Sequence, residues 1–377
     1  MANTQEIQRC TRCIMDNSSD KEIVFDENGV CNYCTYNLEK MPKAYFPNEK
    51  GQEKLDLMIK RLKEEGKGKE YDCLMGISGG LDSSYLAYLG AAKWGLRIAA
   101  VHIDDGYDTE ISKQNIKNLC EKANIKLITI TPDAQQFNQL TKAYMKAGVP
   151  NLAAPQDNVL FAFLYDFAKK NKINNFLSGY NFALESILQR GNTYDQYDIV
   201  NLKDINKRFG EDKIDKLKFI SKQQLLYVKY ILKIKTECPL NYIDYNRERA
   251  FKELKDFCGF EYYGRKHLEN YLTAFVQLYW FPKKFGVDKR TSHLSSMIIS
   301  NQMTREEALA EYNLPIYEDE YMDKVKNLIC ENTGLSLDEL ESLVNEPGHQ
   351  HTEYKTDVAF NSFLKLGSKT KKKLKKL

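Results

Sequence analysis

Two short stretches of this 377-residue chain place reactive residue types at spacings that ordinary packing does not require. The first is Ser78-Gly79-Gly80-Leu81-Asp82-Ser83-Ser84. Adjacent glycines let a backbone turn tightly and present successive N–H groups, and a helix opening there adds the positive end of its dipole. Together they make an anion cradle, to which the hydroxyls of Ser78, Ser83 and Ser84 add donors. A carboxylate inside such a cradle calls for an accompanying cation, so Asp82 is a candidate Mg2+ ligand. The second stretch is Cys10-Thr11-Arg12-Cys13 with Cys31-Asn32-Tyr33-Cys34, two C-x2-C pairs separated by seventeen residues. Each pair can put two thiolates on one ion, and the intervening loop returns the second pair to complete a tetrahedron. Structural zinc suits Cys10, Cys13, Cys31 and Cys34; an iron–sulfur cluster or a redox pair are the other occupants of such a set. Four thiolates leave no open coordination position, so no catalysis is assigned there.

The elements needed to position these groups are legible around them. Tyr71–Ile77 reads as a buried strand entering the glycine loop, and Tyr85–Leu89 as the apolar helix leaving it. Further strand-length apolar runs occupy residues 97–103, 126–130 and 175–178. Helix-like segments lie between them at 84–93, 111–123, 134–147 and 158–170. This alternation predicts an α/β fold with a doubly wound parallel sheet, whose ligands sit at the carboxyl ends of strands. From about residue 200 the pattern is almost wholly helical, with capping boxes at Thr304–Glu307 and Ser336–Glu339. Residues 8–40 hold too little apolar content to fold without a metal.

Composition narrows the class. A hydrophobic share of 42% and an aromatic share of 12% are those of an ordered globular protein. The formal charge of +3 misleads, because six lysines crowd the last ten residues, and without them the body stands at about −3. That balance argues against a nucleic-acid-tracking surface. The tail itself is read as a solvated end, with RNA, an acidic partner or a membrane as other contacts. No apolar run is long enough for a membrane span, and Met1–Glu6 lacks the pattern of a secretory signal, so a cytoplasmic location is expected. Cys73, Cys120, Cys238, Cys258 and Cys330 are isolated, and Cys73 reads as a packing residue.

The loop lacks the lysine of a Walker A motif, so this is not a P-loop NTPase, and the absence of a G-x-G-x-x-G argues against a dinucleotide fold. Ser-Gly-Gly-x-Asp-Ser after a first strand instead resembles the PP-loop ATP pyrophosphatases, which cleave ATP between its α and β phosphates. The resemblance implies that Ser78, Gly79, Gly80, Asp82, Ser83 and Ser84 hold ATP, and that His102 and Asp104, ending the second strand, lie by the adenine and ribose. A buried strand-end histidine is the plainer reading of His102. Leu177–Glu185 is similar to a Gly-Thr-x-Asn-x-x-Glu stretch, with Tyr180 in place of threonine and the acid one residue later. It implies nucleotide contacts at Gly179 and Asn181 and makes Glu185 a second Mg2+ ligand.

The cysteine pairs, the glycine loop and a third block together resemble the bacterial N-acetyl sugar amidotransferases over residues 8–320. That block runs Tyr262-Tyr263-Gly264-Arg265-Lys266-His267, then 281–290, then His293 through Ala308. The family converts a sugar acetamido group to acetamidino for O-antigens or flagellin glycans. Implied cofactors are ATP, Mg2+ and Zn2+, with Ser78, Asp82 and Glu185 at the reacting phosphates. Arg265, Lys266, His267, Lys283, Lys284, Lys289, Arg290 and His293 are candidates for an anionic sugar, either nucleotide-linked or a nonulosonic acid. No Gly-x-Cys-x-Gly elbow is present and residue 2 is alanine, so ammonia must come from elsewhere. The resemblance implies a glutaminase subunit with a cyclase-like barrel partner. The expected division is a knuckle over 1–45, an ATP-binding domain over 46–200, a helical substrate or partner domain over 201–365 and a basic tail over 366–377. A tRNA thiolase is the rival, set back by the lone remaining cysteines and acidic body; a docking-only protein is set back by the intact Ser78, Asp82 and Glu185.

Overall fold

The structure is a computed structural model that describes residues 6–189, 193–266 and 268–357. His267 and the lysine tail lie outside those residues. Five parallel strands form one sheet: β1 (Cys73–Gly76), β2 (Ile98–Ile103), β3 (Lys126–Ile130), β4 (Asn175–Leu177) and β5 (Lys235–Glu237), in the order β3-β2-β1-β4-β5. The chain winds outward from β1 through β2 to β3, then returns to β4 on the other side of β1. That reversal makes the crevice beyond β1 and β4 the switch point of the sheet.

Side chains alternate along the inner strands β1, β2 and β4 and are buried on both faces. Cys73, Met75, Ile98 and Ala100 join a core with helices α1 (Asn32–Ala44), α2 (Glu49–Glu65), α3 (Leu81–Tyr88) and α4 (Glu110–Lys122). Leu74, Ala99, Val101 and Ile103 face the other way, towards helices at residues 154–170 and 222–230. Helix α5 (Ala134–Ala147) precedes the first of these, α6 (Ala154–Lys170), and a single turn, α7 (Phe182–Glu185), follows β4. Then come α8 (Ile199–Phe209), α9 (Lys222–Tyr230) and, past β5, α10 (Arg247–Cys258).

The four strands expected from the sequence are all present, three of them within one residue at each end, while β1 starts two residues later than Tyr71. The fifth was hidden. Lys235-Thr236-Glu237 carries no apolar signal, and it reaches the sheet edge through backbone pairing with β4 and ion pairs of Lys235 with Glu65 and Glu237 with Arg61. The stretch beyond residue 200 is therefore not wholly helical. Two helices also start earlier than their apolar periodicity suggests. Gly80 caps α3 in extended backbone, and Pro155 opens α6 where a missing N–H does no harm.

The remaining helices are α11 (Tyr271–Phe275), α12 (Arg290–Ile299), α13 (Arg305–Tyr312), α14 (Asp319–Thr333) and α15 (Leu337–Asn345). A π-helical stretch, Val276–Phe285, continues α11 and buries Trp280, whose indole N–H donates to the Val149 carbonyl at 2.9 Å. Both predicted capping boxes are made. No helix among the described residues is long and apolar enough to cross a membrane.

Candidate active site

The glycine loop leaves β1 at the switch point. Gly79 sits at φ +75°, and a Cβ there would stand 2.5 Å from the Ser112 carbonyl oxygen, so only glycine fits. The loop closes on itself: Gly80 N–H donates to Ser78 Oγ at 3.2 Å, and the Ser78 and Ser83 hydroxyls are 3.2 Å apart. From β4, Gly179 approaches the same loop so closely that a Cβ would lie 3.2 Å from the Ser83 nitrogen. Ser84 differs from the other loop hydroxyls. It is fully buried and lines neither of the cavities described below.

Asp82 and Glu185, brought from different loops, converge on one cation. Lys266 Nζ lies 3.1 Å from Asp82 Oδ2 and 3.0 Å from Glu185 Oε1. Burial alone would depress this lysine, but the two carboxylates hold it above its ordinary value. Asp82 Oδ1 accepts from Tyr245 Oη at 2.5 Å and from Asn181 Nδ2 at 3.1 Å. Burial and that carboxylate push the Tyr245 phenol far up, so it stays a donor. Asn181 also caps α7, accepting the Leu184 N–H at 2.8 Å. It is fully buried and aims Asp82 from behind instead of facing the open cavity.

A cavity of about 600 Å³ opens from this centre. Ser78, Gly80, Asp82, Ser83, Gly179 and Glu185 line one part of it with Lys266 between the two carboxylates, and Arg247, Arg265, Lys289, Arg290 and His293 line the rest, interspersed with Asp288 and Glu311. The basic block thus divides. Arg265 donates to the Pro315 and Ile316 carbonyls at 2.8 Å, and Arg290 is forked onto Asp288 at 2.7 Å. Burial lowers Lys289 to about 8, against the weaker opposing pull of Asp20. Lys283 and Lys284 lie outside the cavity. Lys284 donates to the Leu343 and Glu346 carbonyls at 2.6 and 2.8 Å, holding the end of α15, while the exposed Lys283 lies over the Tyr279 ring.

A second cavity, about 300 Å³, adjoins the first through Ser78, Ser178 and Gly179. His102 lines it, with Nδ1 3.0 Å from the Ile77 carbonyl and Nε2 3.1 Å from Asp108 Oδ2. Burial is the strongest single influence and opposes its charge, yet Asp108, the Ile77 carbonyl and Asp104 together raise its pKa. Asp104 does not reach this space; it turns back to the Gly106 N–H at 3.2 Å. Asp105 and Asp108 line it instead. Burial, then the neighbouring Asp108, raises Asp105 to about 6. Sequence reasoning misses Asp105, Asp108, Tyr245 and Arg247, and quotes Tyr263 in the third block without a role. Only the fold brings them to the loop, and no local spacing marks them.

The four knuckle cysteines are buried, with all Sγ atoms within 4.8 Å of one another. Cys13 and Cys31 sulfurs are 3.7 Å apart and those of Cys10 and Cys34 are 3.9 Å apart. Thiolates at about 2.3 Å from a tetrahedral zinc have edges of about 3.8 Å, so the set is compatible with that ion. The same separations are far beyond the roughly 2.05 Å of a disulfide. Backbone N–H groups of Cys13, Met15 and Cys31 point at these sulfurs, as suits anionic ligands.

Residues 269–370 match the family described as LPS biosynthesis protein WbpG-like, C-terminal domain. Residues 52–218 match the NAD synthase family. Similar solved structures include an NMN synthetase from Francisella tularensis at 15% identity and TM-score 0.30, covering 76% of this chain and 95% of that one. An NH3-dependent NAD synthetase from Campylobacter jejuni subsp. jejuni, in complex with nitrate, is similar at 15% and 0.30, covering 75% and 94%. Similarity that low carries no weight beside the sheet order and the family matches. No curated protein matches the chain.

Proposed function

The chain belongs to the WbpG-like family of PP-loop amidotransferases of lipopolysaccharide biosynthesis, and from that premise we propose that it converts a sugar acetamido group to an acetamidino group. ATP would place its phosphates on Ser78, Gly79, Gly80 and Ser83, with its adenosine in the adjoining cavity by His102. Magnesium, held by Asp82 and Glu185, would supply neutralisation of phosphate charge. The acetamide oxygen attacks the α-phosphorus and pyrophosphate leaves, giving an O-adenylyl imidate. Ammonia then adds to the imidate carbon and AMP departs, with the fourth N–H proton passing to the phosphate products. An amide oxygen is a poor leaving group, and adenylylation is what makes it a good one.

The protein's share is positioning and charge. Arg265, Lys289, Arg290 and His293 would face an anionic sugar, either a nucleotide-linked acetamido uronic acid or a nonulosonic acid. Ammonia would reach the cavity from a glutaminase subunit with its cyclase-like barrel partner, in the cytoplasm. The knuckle cysteines would hold zinc as a structural ion. The observation that supports this reading most is a single cavity lined both by the glycine loop with its paired carboxylates and by a group of basic residues from the third block. Purified protein given ATP, Mg2+, ammonium and an acetamido sugar acid should release AMP and pyrophosphate. Release of ADP, or AMP release indifferent to the sugar, would overturn the proposal.

A further inference from the structure

Lys266 belongs to the basic block attributed to the sugar, yet its side chain turns towards the nucleotide loop. Its ammonium sits between Asp82 and Glu185, at 3.1 and 3.0 Å, the two carboxylates proposed to hold magnesium. The segment that carries it touches the loop at two further points. Tyr263 Oη accepts the Leu81 N–H at 2.9 Å, at the opening of α3. A Cβ on Gly80 would stand 2.6 Å from Glu269 Oε1, so that carboxylate lies against the cradle. Arg265, one residue before Lys266, donates instead to the carbonyls of Pro315 and Ile316. A cation between two carboxylates, and an anion against the glycine turn, reproduce the charges that a metal-bound triphosphate would bring.

The geometry points to Lys266 as a built-in stand-in for the divalent cation. In the nucleotide-free protein its ammonium holds Asp82 and Glu185 together; when metal and nucleotide arrive, it leaves them for the phosphate oxygens. The inference rests on the ATP reading of this site. Two bare carboxylates this close repel, and a lone divalent ion would bind them avidly without nucleotide. An ammonium already there keeps them spaced and makes metal entry depend on a second anion to receive the lysine. No bond is made or broken in the exchange. Lys266 is then a nucleotide-site residue, separate in role from Arg265 beside it.

Mn2+ binding to the full-length protein, read from the loss of free-ion electron paramagnetic resonance signal, tests this with and without ATP. Lys266→Met should bind Mn2+ without nucleotide about tenfold more tightly than wild type, since a competing charge is gone. Lys266→Arg should stay near wild type. Lys266→Gln keeps polar contacts to both carboxylates and serves as the second neutral variant should the methionine variant fold poorly. Nucleotide-free affinities unchanged in both neutral variants would overturn the inference while leaving the ATP reading intact. A raised sugar KM with unchanged Mn2+ binding would likewise overturn it and return Lys266 to the sugar wall. If no protein binds Mn2+ even with ATP, the ATP reading fails and this inference falls with it.

Discussion

The cysteine knuckle and the cavity are opposite kinds of site. The knuckle draws four ligands from residues 10–34, closes them around one point and leaves no face open. The cavity draws its lining from residue 78 to residue 311 and stays open between its walls. A closed site can be specified by spacing along the chain, because its ligands are near neighbours. An open one must be assembled by topology, because its walls have to approach from different elements. The two meet at α12. Arg305, at the start of α13, donates to the Cys10 and Cys13 carbonyls at 3.1 Å, and on α12 itself Ser295 Oγ accepts the Ile14 N–H at 3.2 Å. The same helix turns Arg290, His293 and Met297 into the cavity.

The sharpest way to separate the two is at Asp82. Asp82→Asn keeps an acceptor for Tyr245 but removes the charge facing Lys266. AMP release should fall on the order of 1000-fold, the scale of losing a key electrostatic group. Metal content of the knuckle and the melting temperature should hold. Near-normal turnover in a pyrophosphate-release assay would remove Asp82 from the chemistry.

Cys31→Ser probes the other side. Losing one ligand of a closed set should lower bound metal and destabilise the fold by several kcal/mol, about 3 or more. The α12 contacts add a finer expectation: KM for the sugar should rise several-fold more than KM for ATP, because the hydrogen bonds of Ser295 and Arg305 tie the knuckle to the sugar side of the cavity. Equal changes in both constants, or unchanged metal by elemental analysis, would break the link.

The same contrast explains what could be read from the sequence. Strand and helix alternation over 71–178 is legible because both faces of β1 and β2 are buried, and the apolar runs mark it. The glycine loop and the cysteine pairs are legible because their chemistry is local. Strand β5 is not, since a polar edge strand of three residues gets its place from backbone pairing. The basic block shows the limit most clearly. Arg265 and Lys266 are adjacent, yet one donates to the Pro315 and Ile316 carbonyls and the other binds Asp82 and Glu185. Composition marks both as anion-binding candidates; only the fold separates the one that meets carboxylates from the one that meets carbonyls. Asp104 and Asp105 divide the same way, one turned back to the Gly106 N–H and the other lining the second cavity.

Within the sugar wall, Lys289 offers a test by pH. Its pKa of about 8 means that it is cationic below that value and neutral above it. Attraction for an anionic sugar is therefore present at lower pH and lost as pH rises through about 8. With ATP and ammonia saturating, kcat/KM for the sugar should decline above that point, since this ratio reports the free enzyme. Lys289→Met should weaken sugar binding by about 1.5–3 kcal/mol, as for a hydrogen bond to a charged group, and should abolish that decline. A decline that persists in the variant would assign the titration to another group.

Lys284 is the matched control and the smallest effect. It carries the same charge as Lys289, five residues earlier in the same block, but its ammonium is spent on the Leu343 and Glu346 carbonyls at the end of α15. Burial lowers its pKa as well, so titration alone does not tell the two lysines apart. Geometry does. Lys284→Met should lower stability by about 1–2 kcal/mol through the two orphaned carbonyls and leave the sugar KM within twofold of wild type. A denaturation curve and a sugar titration on this variant suffice. If the sugar KM rises as it does in Lys289→Met, then the wall extends beyond the cavity as drawn, and the division of the basic block by position fails.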